Sequence, residues 1–252
     1  MSEAVRAAVS AVGMFVLVLT FIEVGIRLGR FQIRRTGAPE GGTGTVDAAI
    51  LGLLGLLIGF SFSGAYTRME DRRALIAVEA NAIGTAYLRL DLLAPEAQGE
   101  LRRLFRRYLE ARVESYESIV ADFPRYRARV TGLQQEIWSR AVAACGGQPT
   151  SLLVLPAINE MIDITTTREL LARIRVPSLI IALLFIVAMV SSLLAGYGMS
   201  TRQRRSLLHM FLLAAIIATS IYVIQDLANP RVGLIRLDAS DLMLQYLLEK
   251  VG

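Results

Sequence analysis

Residues able to perform acid-base, nucleophilic or metal chemistry are scarce in this sequence. His209 is the single histidine and Cys145 the single cysteine among 252 residues. A Ser-His-Asp, Cys-His or multi-histidine metal constellation therefore cannot be assembled within the chain, and no disulfide can close. No glycine-rich loop follows a strand pattern, as a phosphate cradle requires. Acid pairs such as Glu70 with Asp71, or Asp238 with Asp241, lie among arginines, where surface ion pairing is the ordinary role. An enzyme is not expected, and neither is a cofactor or a bound metal.

What remains are polar groups placed where apolar ones would be cheaper. Glu23 and Asp226 fall within or at the end of apolar stretches and need a partner or water. Glu23 is one turn from Arg27 and can pair with it; Asp47 is expected to cap the stretch that follows it. Glu79 and Asn81 interrupt the small-residue run Ala77 to Tyr87. Asn159, Asp163 and Thr167 recur every four residues, with Arg168 beside them. These groups read either as a buried hydrogen-bond network or as the lining of an ion vestibule. The most distinctive pattern is Gly55, Gly59 and Ser63 at four-residue steps, with Gly52 and Gly64 nearby, which gives a smooth helix face suited to close packing. The same segment, Gly59-Phe60-Ser61-Phe62-Ser63-Gly64, can line a pore, with hydroxyls offered to ions and phenylalanines forming a dewetting constriction.

The elements that must position these groups follow from composition. The chain is 54% hydrophobic and 19% charged, with a mean hydropathy of +0.50, which marks a membrane protein. Four apolar runs, Ala7 to Ile26, Val46 to Ala65, Val176 to Tyr197 and Leu207 to Ile224, each approach the roughly 20 residues needed to cross a bilayer. The first is expected to be an uncleaved anchor, because its arginines follow the apolar run instead of preceding it.

Between spans two and three lies a polar block, Thr67 to Arg175. In it Leu101, Leu104, Phe105, Tyr108, Val113, Tyr116, Ile119 and Val120 predict an amphipathic helix from Pro95, with Arg106 and Glu110 paired on its outer face. A second helix is expected from Pro124 to Ala144, a loop at Gly146 to Pro149, and a third helix from Ser151 to Arg173. No proline separates span two from Leu93, so one long helix is expected to run from the membrane into the block.

Net charge is +5, and every basic residue except Lys250 is arginine. Arg27, Arg30, Arg34 and Arg35 after span one share a side with Arg202, Arg204 and Arg205 after span three. By the positive-inside rule that side is cytoplasmic, and both termini and the block lie outside. Arg68, Arg72, Arg73, Arg168, Arg173 and Arg175 flank the membrane and can anchor the opposite orientation. Basic clusters that abut spans and interleave with acids do not form a nucleic-acid surface.

Three segments, Gly59 to Ser63, Glu79 to Tyr87, and Asp226 to Arg236, together resemble a bacterial four-span membrane family labelled bestrophin-like. Bestrophins themselves are pentameric ion channels with four membrane helices per subunit, a pore lined by the second span, and an Asn-Pro-Phe-Gly element after the last. The resemblance thus implies a homo-oligomer, pentamer favoured, that passes small inorganic ions, with Gly55, Gly59, Phe60, Ser61, Phe62 and Ser63 lining the pore. It also implies an element around Asp226, Asn229, Pro230, Arg231 and Gly233 that shapes the exit. Here Arg231-Val232 stands in place of the Phe, and the acidic calcium-binding cluster is missing, so calcium gating is not implied. The bestrophin helical domain is cytosolic, opposite to the loop-charge reading.

The expectation is therefore an all-α integral membrane protein of a bacterial inner membrane, with four transmembrane helices and a helical extramembrane domain inserted between spans two and three. Expected segments are residues 1–66, 67–175, 176–226 and a C-terminal tail, 227–252. The expected function is a bestrophin-like ion channel. The alternative is a non-conducting sensor or scaffold whose helical domain binds a partner or ligand, with Leu242, Tyr246 and Leu247 of the tail as a docking face.

Overall fold

The computed structural model describes residues 3–37, 44–113, 122–173, 177–200, 207–228 and 238–251, all helical or in turns beside helices. The helices are α1 (Glu3–Thr36), α2 (Gly44–Arg89), α3 (Pro95–Val113), α4 (Phe123–Cys145), α5 (Ser151–Arg173), α6 (Ser178–Met199), α7 (Leu207–Ala228) and α8 (Asp238–Val251), with a 3-10 turn at Leu90–Leu92. Helices α1, α2, α6 and α7 are long and apolar enough to cross a membrane. In lipid every backbone N–H and C=O must be satisfied internally, which is why these runs can only be helices. The chain is an all-α, multi-pass membrane protein. Arg202, Arg204 and Arg205, and the element Asn229, Pro230, Arg231 and Gly233, lie outside the described residues.

Two helices exceed their apolar runs. Helix α1 continues from Ile26 to Thr36 and ends at Gly37, whose φ of 75° and N–H to the Ile33 carbonyl (2.9 Å) close the last turn. Helix α2 has 46 residues, about 69 Å at about 1.5 Å per residue and more than twice a hydrocarbon core of about 30 Å. Asp47 sits inside its first turn, not at its cap, because the helix already starts at Gly44; its carboxylate still faces the positive end of the helix dipole.

Contacts divide the chain into two units, Met1–Met69 with Arg175–Ile235, and Glu70–Ile174 with Arg236–Gly252. In the first, α1 packs on α6 and α7. The α1–α6 crossing is backbone on backbone: a Cβ on Gly25 would meet the Leu193 carbonyl at 2.0 Å, and one on Gly196 would meet the Ile22 carbonyl at 2.0 Å. Tyr197 Oη donates to Gln32 Oε1 at 2.9 Å farther along the same crossing.

In the second unit, the end of α2 and helices α3, α4, α5 and α8 share one core, which includes Ile83, Phe105, Tyr108, Ile137, Ile158 and Leu244. Asp122 caps α4 through Arg125 N–H (3.2 Å), and Gly146, at φ 51°, closes it at the expected loop. Pro156 inside α5 removes the donor for the Leu152 carbonyl, and next to that gap Arg89 Nη1 donates to the Leu153 carbonyl at 2.7 Å. Helix α8 spends its apolar face on this core: Leu244 is buried and Leu247, Leu248 and Val251 pack against it. Leu242 and Tyr246 remain exposed. The docking face read from the sequence is thus split, with Leu247 turned inward.

Candidate functional site

The first candidate is the membrane stretch of α2. Only 11% of it is buried, against 28% for α1, 28% for α6 and 33% for α7. Leu54, Ala65 and Met69 are its buried positions. The glycines lie off that side, centred about 120° around the helix: nothing comes within 4 Å of a Cβ placed on Gly52, Gly55 or Gly59. Ser63 shares that exposed stripe, whereas Ser61, about 200° away from Gly59 at about 100° per residue, is only half exposed on the other side. Phe60 and Phe62 are 68% and 44% exposed, and being two positions apart they flank the stripe on opposite sides. Phe62 stacks on Tyr66 with ring centres 6.4 Å apart.

The second candidate is a buried ionic network in the helical unit. Glu79 on α2, beyond the apolar stretch, has no exposed surface and is gripped by two arginines from two other helices. Arg112 Nε of α3 donates to Oε1 at 2.6 Å, and Arg168 Nη1 of α5 donates to Oε2. Arg112 also donates to Tyr126 Oη on α4. Beside this group Tyr108 Oη and Thr165 Oγ1 share a hydrogen bond of 2.8 Å, and Gln134 reaches the same phenol. Burial alone would push the Glu79 carboxyl up, but the two guanidiniums outweigh it and hold the group below the usual carboxylate range. Burial raises Tyr108 and Tyr126, which stay neutral.

Of the polar groups expected to form one network, the structure joins Glu79 and Arg168 but not the others. Asn81, two residues after Glu79, turns to solvent. Asn159 and Asp163 bond each other at 2.7 Å on the exposed face of α5, with Thr167 donating to the Asp163 carbonyl. Arg112, Tyr126, Thr165 and Gln134 were not singled out in the sequence, and Tyr108 was read there only as a position of the apolar stripe. The signal was there for Arg112: it continues the Leu101, Leu104, Phe105, Tyr108 stripe by one further turn.

In the membrane, Glu23 pairs with Arg27 at 3.0 Å as expected, and Arg106 pairs with Glu110 at 3.2 Å outside it. Asp226 is buried and accepts from Tyr222 Oη at 3.2 Å. Among the described residues no three His, Cys, Asp or Glu side chains gather as a metal site would need.

Comparison with curated protein sequences returns no match. Among solved structures, the fold is similar to that of a bacterial bestrophin homologue from Klebsiella pneumoniae, with a TM-score of 0.72 at 13% identity over 95% of this chain and 97% of that one. Two single-residue variants of that homologue give TM-scores of 0.72 at 14% identity (95% and 98% covered) and 0.73 at 13% identity (96% and 98%). At such identity the likeness is one of fold. The profile of the bestrophin-like domain matches residues 14–242, from the first span into the last helix, and the chain belongs to the bestrophin-like family.

Proposed function

We propose that the protein is a homo-oligomeric ion channel of a bacterial inner membrane, with the exposed stripe of α2 lining a central pore. The observation that carries this reading is the unburied small-residue face Gly52, Gly55, Gly59 and Ser63 on the least buried of the four spans. A lipid-facing helix gains by filling such a stripe with leucine. A stripe of glycine and serine instead suits close helix approach or a water path, and copies arranged around an axis satisfy both. Membership of the bestrophin-like family supports the same assignment. Since Phe60 and Phe62 diverge by about 200°, only one ring can meet the axis. We assign the constriction to Phe62, nearer the stripe and stacked on Tyr66, and give Phe60 to the contact with a neighbouring copy.

In this reading the unit around Glu79 is an extramembrane domain. Its exposed Asn81, Asn159 and Asp163 line the vestibule, and Glu79 and Arg168 hold its helices together. Asp226, Asn229, Pro230, Arg231 and Gly233 shape the exit. Loop charge places the domain and both termini in the periplasm; a C-terminal alkaline phosphatase fusion that is inactive in cells would reverse that orientation.

The test is native mass together with liposome flux. A pentamer near 138 kDa (5 × 27.6) that conducts ions, more strongly with Phe62→Ala, is the expected result. A species that stays monomeric across mild detergents, or flux that Phe60→Ala and Phe62→Ala both leave unchanged, overturns it.

A further inference from the structure

We propose that the cytoplasm-facing end of α1 by the loop-charge reading, Arg27–Thr36, is a binding site for the phosphate headgroup of an anionic phospholipid. One side of α1 is spent inside the chain: Ile22, Gly25, Ile26 and Gly29 are buried, with the two glycines against α6. Arg27, Arg30, Phe31 and Arg34 lie on the other side, within about 100° of one another, with Leu28 and Arg35 at its edge. Glu23 neutralises Arg27 at 3.0 Å. Arg30, Arg34 and Arg35 make no ion pair among the described residues; Arg35 lies over the Phe31 ring, 5.3 Å from its centre.

Three guanidiniums that make no ion pair among the described residues thus share a short helix segment with Phe31 and Leu28, which are 59% and 47% exposed. The partial negative charge of the helix C-terminus, about half a unit, offsets only a fraction of them.

Depth fits the same ligand. Arg30 is four residues past Ile26, about 6 Å along the axis, and Arg35 about 13.5 Å. The headgroup layer is about 5–7 Å thick on each face, so the Arg30 backbone stands within it, and those of Arg34 and Arg35 stand about 5–8 Å beyond it, from where their side chains reach back. Leu28, about 3 Å past Ile26, then lies closest to where acyl chains begin, and Phe31, at about 7.5 Å, is level with the outer headgroups. Guanidiniums bind phosphate in paired N–H···O bonds, so a phosphodiester bearing one negative charge, with acyl chains below it, matches the segment in charge and in polarity along the helix. A zwitterionic lipid offers the same phosphate but carries its own cation beside it.

The experiment is native mass spectrometry of the full chain, released from detergent after titration with phosphatidylglycerol or with phosphatidylcholine of identical chains. The parent should retain phosphatidylglycerol at collision energies that strip phosphatidylcholine. Each of Arg30→Gln, Arg34→Gln and Arg35→Gln should weaken that retention about fivefold. The triple variant should hold the two lipids alike. Arg103→Gln with Arg107→Gln, a loss of two charges on the exposed face of α3, should leave the preference intact. Should the triple variant fail to extract as a helical protein, the three single variants carry the same readout. Equal retention of both lipids by the parent, unchanged preference in the single variants, or equal loss in the α3 control each overturns the assignment.

Discussion

Replacing Glu79 with alanine takes a carboxylate without exposed surface away from two guanidiniums whose side chains are 6% and 12% exposed. Removing one partner of a buried ionic group costs about 3–5 kcal/mol, because the charges left behind keep their desolvation penalty and lose its compensation. Folded proteins are stable by only about 5–15 kcal/mol, so this single change should consume about a fifth of the total or more. Trp138, the single tryptophan, lies on α4 in the same unit and reports its unfolding by fluorescence during denaturant titration in mild detergent.

The sign with pH follows from the depressed carboxyl. The contribution of Glu79 is fully present above its unfolded pKa of about 4.3, and is lost as pH falls through the lower folded value. Glu79→Gln, which keeps the shape without the charge, should be less stable at neutral pH and should lack this acid-sensitive component. Replacing all three members by methionine should be milder than Glu79→Ala, since no charge is then stranded. A loss below about 1 kcal/mol in Glu79→Ala, or a triple variant less stable than the single one, refutes the argument.

Three further outcomes are expected. Gly196→Ala forces a methyl to 2.0 Å from the Ile22 carbonyl and should cost about 1–3 kcal/mol in thermal unfolding, whereas Gly59→Ala, with nothing within 4 Å, should be neutral for the isolated chain. Tyr108→Phe should cost about 1–3 kcal/mol, measured by the Trp138 titration, by stranding the Gln134 amide, while Thr165 Oγ1 keeps the bond it donates to the Met161 carbonyl; an unchanged midpoint would mean that water replaces the phenol. Leu244→Ala, at a side chain 1% exposed, should cost about 2–5 kcal/mol and speed proteolysis of α8, and an unchanged rate would show that this helix is not held by the core.

The spans were legible because a bilayer leaves the backbone one choice, so apolar length alone predicts helix. Their ends were not. Apolarity stops at Ile26 in α1 and at Ala65 in α2, but the backbone hydrogen bonds do not, and no proline or paired glycine intervenes until Gly37 in one and the turn after Arg89 in the other. Hydropathy marks where lipid contact ends, and the breaker residues mark where the helix ends. The close α1–α6 crossing was missed for a different reason. Gly25 and Gly29 obey the same four-residue step as Gly55 and Gly59, but only the first pair meets a backbone within the chain. A small-residue stripe tells that something can approach, not what does.

The polar network shows the same limit in sharper form. Asn159, Asp163 and Thr167 do share one face of α5, and the face is the wrong one. Val154, Ile158, Met161 and Thr165 define the buried side, and Arg168, three residues after Thr165, falls on it. On α2, Ile76, Glu79, Ile83 and Ala86 run in steps of three and four along the core side, while Asn81 is about 200° around. On α3 the stripe from Leu101 through Tyr108 ends on Arg112. In all three helices the ionised residue of the network is the one that keeps step with the apolar positions, and the polar residues outside that step face solvent. Phase against the apolar stripe, more than residue type or mutual spacing, decides which charges a helical bundle buries. Applied to the sequence alone, that rule selects Glu79, Arg112 and Arg168 and leaves Asn81, Asn159 and Asp163 free to line a water-filled path.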